Sequence, residues 1–185
     1  MYQGNNSIAI QSQKMMMQAL LSLMQKKDFG KIQVKELCEA AQVSRQTFYS
    51  LFDSKEQILE LYFDSIFNSF MQEIKNSESL SLSIVCSAAI RCLISHHLFI
   101  GLLIKNKMDY ILYRKLEQYL LNFSEEINVT KSSNDKYAIA FLSGAMTGII
   151  RKYIENDAFN NDKVISNLVE LILTGNYFTI DPSLL

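Results

Sequence analysis

Residues 32–59 read IQVKELCEAAQVSRQTFYSLFDSKEQIL. Val34, Leu37, Cys38 and Ala41 fall at i, i+3, i+4 and i+7, the one-sided spacing of a short amphipathic helix. Gln42-Val43 interrupts it, and Ser44 is a good N-cap for a second short helix over about 44–50. Asp53 or Ser54 caps a longer helix with Ile58, Leu61, Tyr62 and Ile66 among its apolar positions, and Ser54 followed by Gln57 suits a capping box. Two short helices joined by a tight turn form a helix-turn-helix, here about 32–51. Leu37, Cys38, Val43, Phe48 and Leu51 supply its local core, which leaves Arg45, Gln46, Thr47 and Tyr49 facing outward. Arg and Gln can pair with base edges, Thr offers a hydroxyl or a methyl, and Tyr and Lys reach phosphates. A plain helical hairpin with a solvated face has the same periodicity, so spacing alone leaves both readings open.

The residue string goes further. Val34, Leu37, Ala41, Val43, Ser44, Thr47, Phe48, Tyr49, Phe52, Lys55, Glu56 and Leu59 resemble the N-terminal domain of TetR-family regulators. The Phe-Tyr-x-x-Phe-x-x-Lys-Glu segment at 48–56 is the most specific part, and the resemblance covers about residues 8–65. It implies that Ser44 to Tyr49 form the recognition helix and that Arg45, Gln46 and Thr47 read bases. Gln33, Ser44, Tyr49 and Lys55 would contact the DNA backbone, Lys55 from a helix start whose N–H groups also favour an anion. Two positions depart from the family pattern. Gln33 replaces the usual Thr at the start of helix two and is a poorer cap. Gln42 replaces the usual Gly in the turn, and costs about 1 kcal/mol if the site needs a left-handed backbone.

Outside this segment the chain is poor in helix breakers, with one proline (Pro182) and six glycines in 185 residues. Long helices are therefore expected. Apolar residues make up 49% and charged residues 20%, the composition of a folded globular chain. Net charge is −1, so no global field points to nucleic acid, but residues 1–35 carry five lysines against Asp28 alone. A first helix is expected over 7–27, with Met16, Ala19, Leu20 and Leu23 at helical spacing, broken by Asp28-Phe29-Gly30. Beyond Lys75 the run NSESLSLS is a polar joint, and helical patterns resume over about 80–104, 108–127, 133–156 and 161–174, with a split near residue 95. No strand-like alternation of useful length stands out. The fold expected is all-α: an N-terminal three-helix helix-turn-helix domain, residues 1–55, and a C-terminal helical dimerisation and ligand-binding domain, residues 56–185.

The second domain of TetR-like proteins dimerises and often senses a ligand. In AIAFLSGAMTGIIRKYIE, residues Ala140, Gly144, Thr147, Gly148 and Arg151 recur at helical spacing, and small residues there let another helix approach. Tight packing within one subunit is the alternative. The segment resembles the dimer helix of a TetR branch that includes dihydroxyacetone-kinase regulators, and we pair it with Val164, Leu168, Leu171 and Ile172 of the next helix. His96, Phe99, Met108, Tyr110 and Tyr113, with Tyr119, are the candidate lining of an apolar effector pocket.

Other chemistry finds little support. His96 and His97 are adjacent, so their side chains point about 100° apart on a helix and cannot easily share an ion. Cys38, Cys86 and Cys92 form no C-x-x-C pair and read as small core residues of a reduced protein. G-x-S-x-G, phosphate-loop and H-E-x-x-H patterns are absent, so no catalytic residue, cofactor or metal is assigned. No signal-peptide pattern opens the chain, and the longest nearly apolar run, Tyr137–Ile150, is too short to span a bilayer. The expectation is a cytoplasmic homodimer on a palindromic operator, more specifically a repressor released by a small apolar effector. The alternative is a regulator governed by a protein partner.

Overall fold

The computed structural model describes residues 7–77, 82–126 and 135–156, together with 167, 169, 170 and 174. Among them are eight α-helices and no strand: α1 Ser7–Lys26, α2 Val34–Ala40, α3 Arg45–Leu51, α4 Lys55–Lys75, α5 Leu82–Ser95, α6 His97–Lys105, α7 Asp109–Glu126 and α8 Asp135–Glu155. The expected all-α architecture is observed. The helix expected over 161–174 lies almost wholly outside the described residues.

Met16, Leu20 and Met24, four residues apart, form the fully buried stripe of α1. Against it pack Leu37 and Cys38 of α2, Phe48 and Leu51 of α3, and Ile58 and Leu59 of α4, in one buried cluster. The same cluster continues through Phe99, Ile100 and Leu103 of α6 and Ile111 of α7 to Ile150 of α8. Helix α4 joins the two halves. It touches α1 as well as α5 and α7, crossing the boundary expected at 55/56 without a break.

Local chemistry explains the helix ends. Ser44 caps α3 by accepting the Thr47 N–H at 3.0 Å. Ser54 caps α4 by accepting the Gln57 N–H at 3.4 Å, and the Gln57 side chain returns to the Asp53 N–H at 2.8 Å. The capping box is thus present, with its return bond one residue before the cap. The split near residue 95 falls at His96, where the backbone leaves helical geometry (φ −116°, ψ 17°) between α5 and α6.

Polar contacts also cross the halves. The Phe29 N–H donates to Asn106 Oδ1 at 2.6 Å, tying a short 3-10 turn, Phe29–Lys31, to the end of α6. Lys115 and Tyr119 of α7 both donate to Asp64 Oδ1 of α4 at 2.7 Å. Tyr119 stacks on Phe67 with ring centroids 3.7 Å apart, and Arg114 pairs with Glu60. Burial, together with Asp64 beside it, raises the Tyr119 hydroxyl far above its ordinary pKa, so it stays a donor.

Candidate nucleic-acid interface

Helix α3 is anchored from below and bare above. Phe48, Leu51 and the following Phe52 are buried, and Phe48 contacts Phe52 with ring centroids 5.9 Å apart. Arg45, Gln46, Tyr49 and Ser50 are exposed on the opposite side, Tyr49 at 63%. Tyr49 stands edge-on to Phe48, centroids 5.1 Å apart, so its ring is steadied by the core while its hydroxyl end reaches outward. Arg45 has no ion pair among the described residues. An unpaired guanidinium and an exposed amide at the start of a short helix are groups that can face an acceptor-rich groove.

Ser44 and Thr47 are partly spent on each other. Their hydroxyl oxygens lie 2.8 Å apart, and Ser44 Oγ already accepts the Thr47 N–H. Gln33 sits at the N-cap of α2 with an extended backbone, its side chain makes no cap hydrogen bond, and it is exposed. Lys55 is placed differently from the expectation. Its ammonium donates to the carbonyls of Phe29 (3.0 Å) and Ile32 and lies 4.4 Å from the centre of the Phe29 ring. Burial lowers its pKa, and nearby Lys27 adds to the effect. With two of three N–H donors committed inside the protein, Lys55 first clamps the turn before α2 onto the start of α4.

Two basic residues near α3 are already paired: Lys27 with Glu36, and Lys31 with Asp28 at 2.8 Å. Lys35 is looser, 3.8 Å from Glu39 and exposed. It lines an open cleft of about 330 Å³ together with Cys38, Glu39, Gln42, Val43 and Arg45. In sequence, Lys35 is one of the five lysines of the basic N-terminal segment. Its place on the second residue of α2, beside Arg45, emerges from the fold.

Residues 17–62 match the family described as bacterial regulatory proteins, tetR family. The chain carries a TetR-family domain. A 69-residue stretch is 30% identical to the HTH-type dhaKLM operon transcriptional activator DhaS of Lactococcus lactis subsp. lactis (strain IL1403), covering 37% of this chain and 37% of that relative. The match therefore spans little more than a third of the relative's length. A solved structure titled dihydroxyacetone kinase operon activator DhaS shares the fold with a TM-score of 0.55 at 23% identity, over 89% of this chain and 95% of that one. The fold likeness thus runs well beyond the TetR-family domain.

Behind the TetR-family domain, α8 presents a distinctive face. Gly144 and Gly148 are exposed, Ala140 and Thr147 half-buried, and Tyr137 and Phe141 are 65% and 69% exposed. A β-carbon at Gly148 would meet nothing within 4 Å, and one at Gly144 only Tyr113 Cε2 at 4.0 Å. Packing within the described subunit therefore does not call for glycine at either place. Tyr137 and Phe141, missed in the sequence reading, continue the stripe at spacings of four and three residues. Arg151 is exposed but pairs with Asp109 at the start of α7 in its own subunit. Val164, Leu168, Leu171 and Ile172 lie outside the described residues.

Of the side chains expected to line one pocket, His96 and Phe99 both meet Tyr62, and Phe99 and Met108 share the buried core. Phe99 and Met108 are core residues, exposed by only 3% and 4%, while Tyr110 faces solvent. Tyr113 is half-buried near α8 and donates to Glu117 at 3.4 Å. His96 meets Tyr62, whose hydroxyl lies 3.3 Å from its Nδ1, and burial lowers its pKa. Tyr62 in turn packs edge-on to Phe99, centroids 4.5 Å apart. Periodicity could identify these residues as apolar but not assign them to a common cavity. Among the described residues no group of acidic, His and Cys side chains is arranged to hold a metal ion, and no helix is long and apolar enough to cross a membrane.

Proposed function

We propose that this protein is a sequence-specific transcriptional regulator acting as a homodimer on a palindromic operator. The single observation that carries the reading is the exposed face of α3: Arg45, Gln46 and Tyr49 stand outward on a helix whose other side is locked into the core. Arg45, Gln46 and the methyl of Thr47 read bases, and Gln33, Tyr49 and the Ser44 region hold the backbone. Lys55 orients the reading head and offers its remaining N–H to phosphate. The α8 stripe of Tyr137, Phe141, Gly144 and Gly148 forms the dimer contact, which would set two recognition helices about 34–36 Å apart for two half-sites.

The sign of regulation follows from where the operator lies. Bound across a promoter, such a dimer represses, as the sequence resemblance led us to expect. Bound upstream, the same complex can activate, the role named for the two DhaS relatives. Control by a small apolar effector requires a cavity in the C-terminal half. Burial of Phe99 and Met108 in the one core, with Tyr110 at the surface, favours the second reading, control by a protein partner, with exposed Leu98 and Tyr110 among the contacts available. Either effector acts only through its difference in affinity for the DNA-competent and incompetent states.

Selection of bound duplexes from a random DNA library, followed by sedimentation of the complex, tests the reading. An enriched sequence with two-fold symmetry, carried by two protein chains per duplex, is expected. Recovery of random sequence would overturn it.

A further inference from the structure

Gln42 has a backbone φ of 54°, the left-handed region. It follows the C-cap Ala41 of α2, donates its N–H to the Glu39 carbonyl at 3.2 Å, and is followed by a Val43 N–H on the Cys38 carbonyl at 2.9 Å. These two bonds make a Schellman motif, and Gln42 occupies its left-handed position, where glycine is favoured and a β-carbon is strained. The end of α6 repeats the motif with Lys107 at φ 57°. There the side chain is a cation beside the terminal carbonyls of a helix, which offsets the strain. Gln42 is neutral and exposed, and among the described residues its side chain makes no hydrogen bond that would offset this strain. Its side chain opens into the cleft between α2 and α3, two residues before the cap-and-start pair Ser44-Arg45. That is the end of the recognition helix that enters the groove.

We propose that Gln42 is a further base-reading residue, whose amide contacts the base pair next to the one met by Arg45. The inference rests on the operator-binding reading above. An amide offers a donor and an acceptor in one plane, the pattern that matches adenine N6 and N7. The cleft already holds two cations, Lys35 and Arg45, beside the Glu39 carboxylate, so charge neutralisation falls to them and the uncharged amide is suited to hydrogen bonding with a base edge. The turn residue thereby widens the reading surface from helix α3 to the cleft beside it.

The test uses the full chain with Gln42→Ala, which removes the amide and keeps the strain, and Gln42→Gly, which removes both. Each is measured by fluorescence anisotropy against the operator selected by the parent protein and against its single-base-pair variants. Both variants should bind the operator about tenfold more weakly and lose discrimination at one base pair adjacent to that lost in Arg45→Ala. Gln42→Gly should also melt above the parent. Parent-like binding by Gln42→Ala, or an equal loss on every DNA sequence, would overturn the proposal. So would a Gln42→Gly variant that melts below the parent, because the position would then carry no strain. If the parent itself selects no sequence, the regulator reading fails, a result distinct from failure of the Gln42 assignment.

Discussion

Arg45 and Lys55 are both basic and only ten residues apart, yet their surroundings give them opposite work. Arg45 is exposed and has no ion pair among the described residues, so its guanidinium is available to a base edge. Arg45→Ala should relax preference at one base-pair position by about 1–3 kcal/mol, measured as the spread of Kd across operator variants. A uniform loss would make it a phosphate contact instead. Lys55 is committed to the Phe29 and Ile32 carbonyls. Lys55→Ala leaves those half-buried acceptors without their donor and should lower folding stability by about 1–3 kcal/mol in urea denaturation. An unchanged midpoint would show that the clamp does not stabilise the fold. A sequence motif can mark such a lysine but cannot separate the two roles, because the carbonyls it meets are brought in by a turn some twenty residues upstream.

At the scale of helices, caps and stripes do the organising. Ser44→Ala removes the side-chain acceptor of the Thr47 N–H and should cost about 1 kcal/mol, read from denaturant midpoints at constant m-value. Gly148→Leu fills a position with no internal neighbour within 4 Å, so the subunit should keep its helicity. Dimer dissociation measured by sedimentation should rise about tenfold or more, as overpacking at a close helix contact does. An unaltered dimer would place the contact elsewhere. The helices of the reading domain were legible in the sequence because the apolar spacing, the caps at Ser44 and Ser54 and the break at Asp28-Phe29-Gly30 are all local signals. The kink at His96 was legible near residue 95 for the same reason. The left-handed Gln42 was anticipated as a conditional cost, and the geometry supplies the condition. The surroundings of the expected pocket residues were not legible, because a 3.6-residue period says that Phe99 and Tyr110 are apolar or aromatic on helices and says nothing of which neighbour each one meets. Tyr137 and Phe141 went unnoticed because exposure depends on what packs over a helix.

Across the whole molecule, the two halves are joined by the α1–α6 contact, by the Phe29–Asn106 bond and by α4, which runs from the N-terminal helices into the C-terminal half. Its first turns lie in the core under α3, and its middle is tied to α7 by Asp64 with Lys115 and Tyr119. Asp64→Ala strands a nearly buried ammonium and a buried hydroxyl, and should lower stability by about 1–3 kcal/mol in thermal and urea unfolding. Stability equal to the parent's would show that α7 does not hold α4 through this site. The central claim, that the face of α3 reads DNA, is tested most directly by binding of the purified protein to its selected operator over a salt series, beside an Arg45→Ala plus Tyr49→Ala double variant. Both positions are exposed, so the variant should keep the parent's helicity and melting temperature. The account predicts tight, salt-sensitive and sequence-selective binding by the parent, lost in the double variant. Selective binding that survives both substitutions would contradict it.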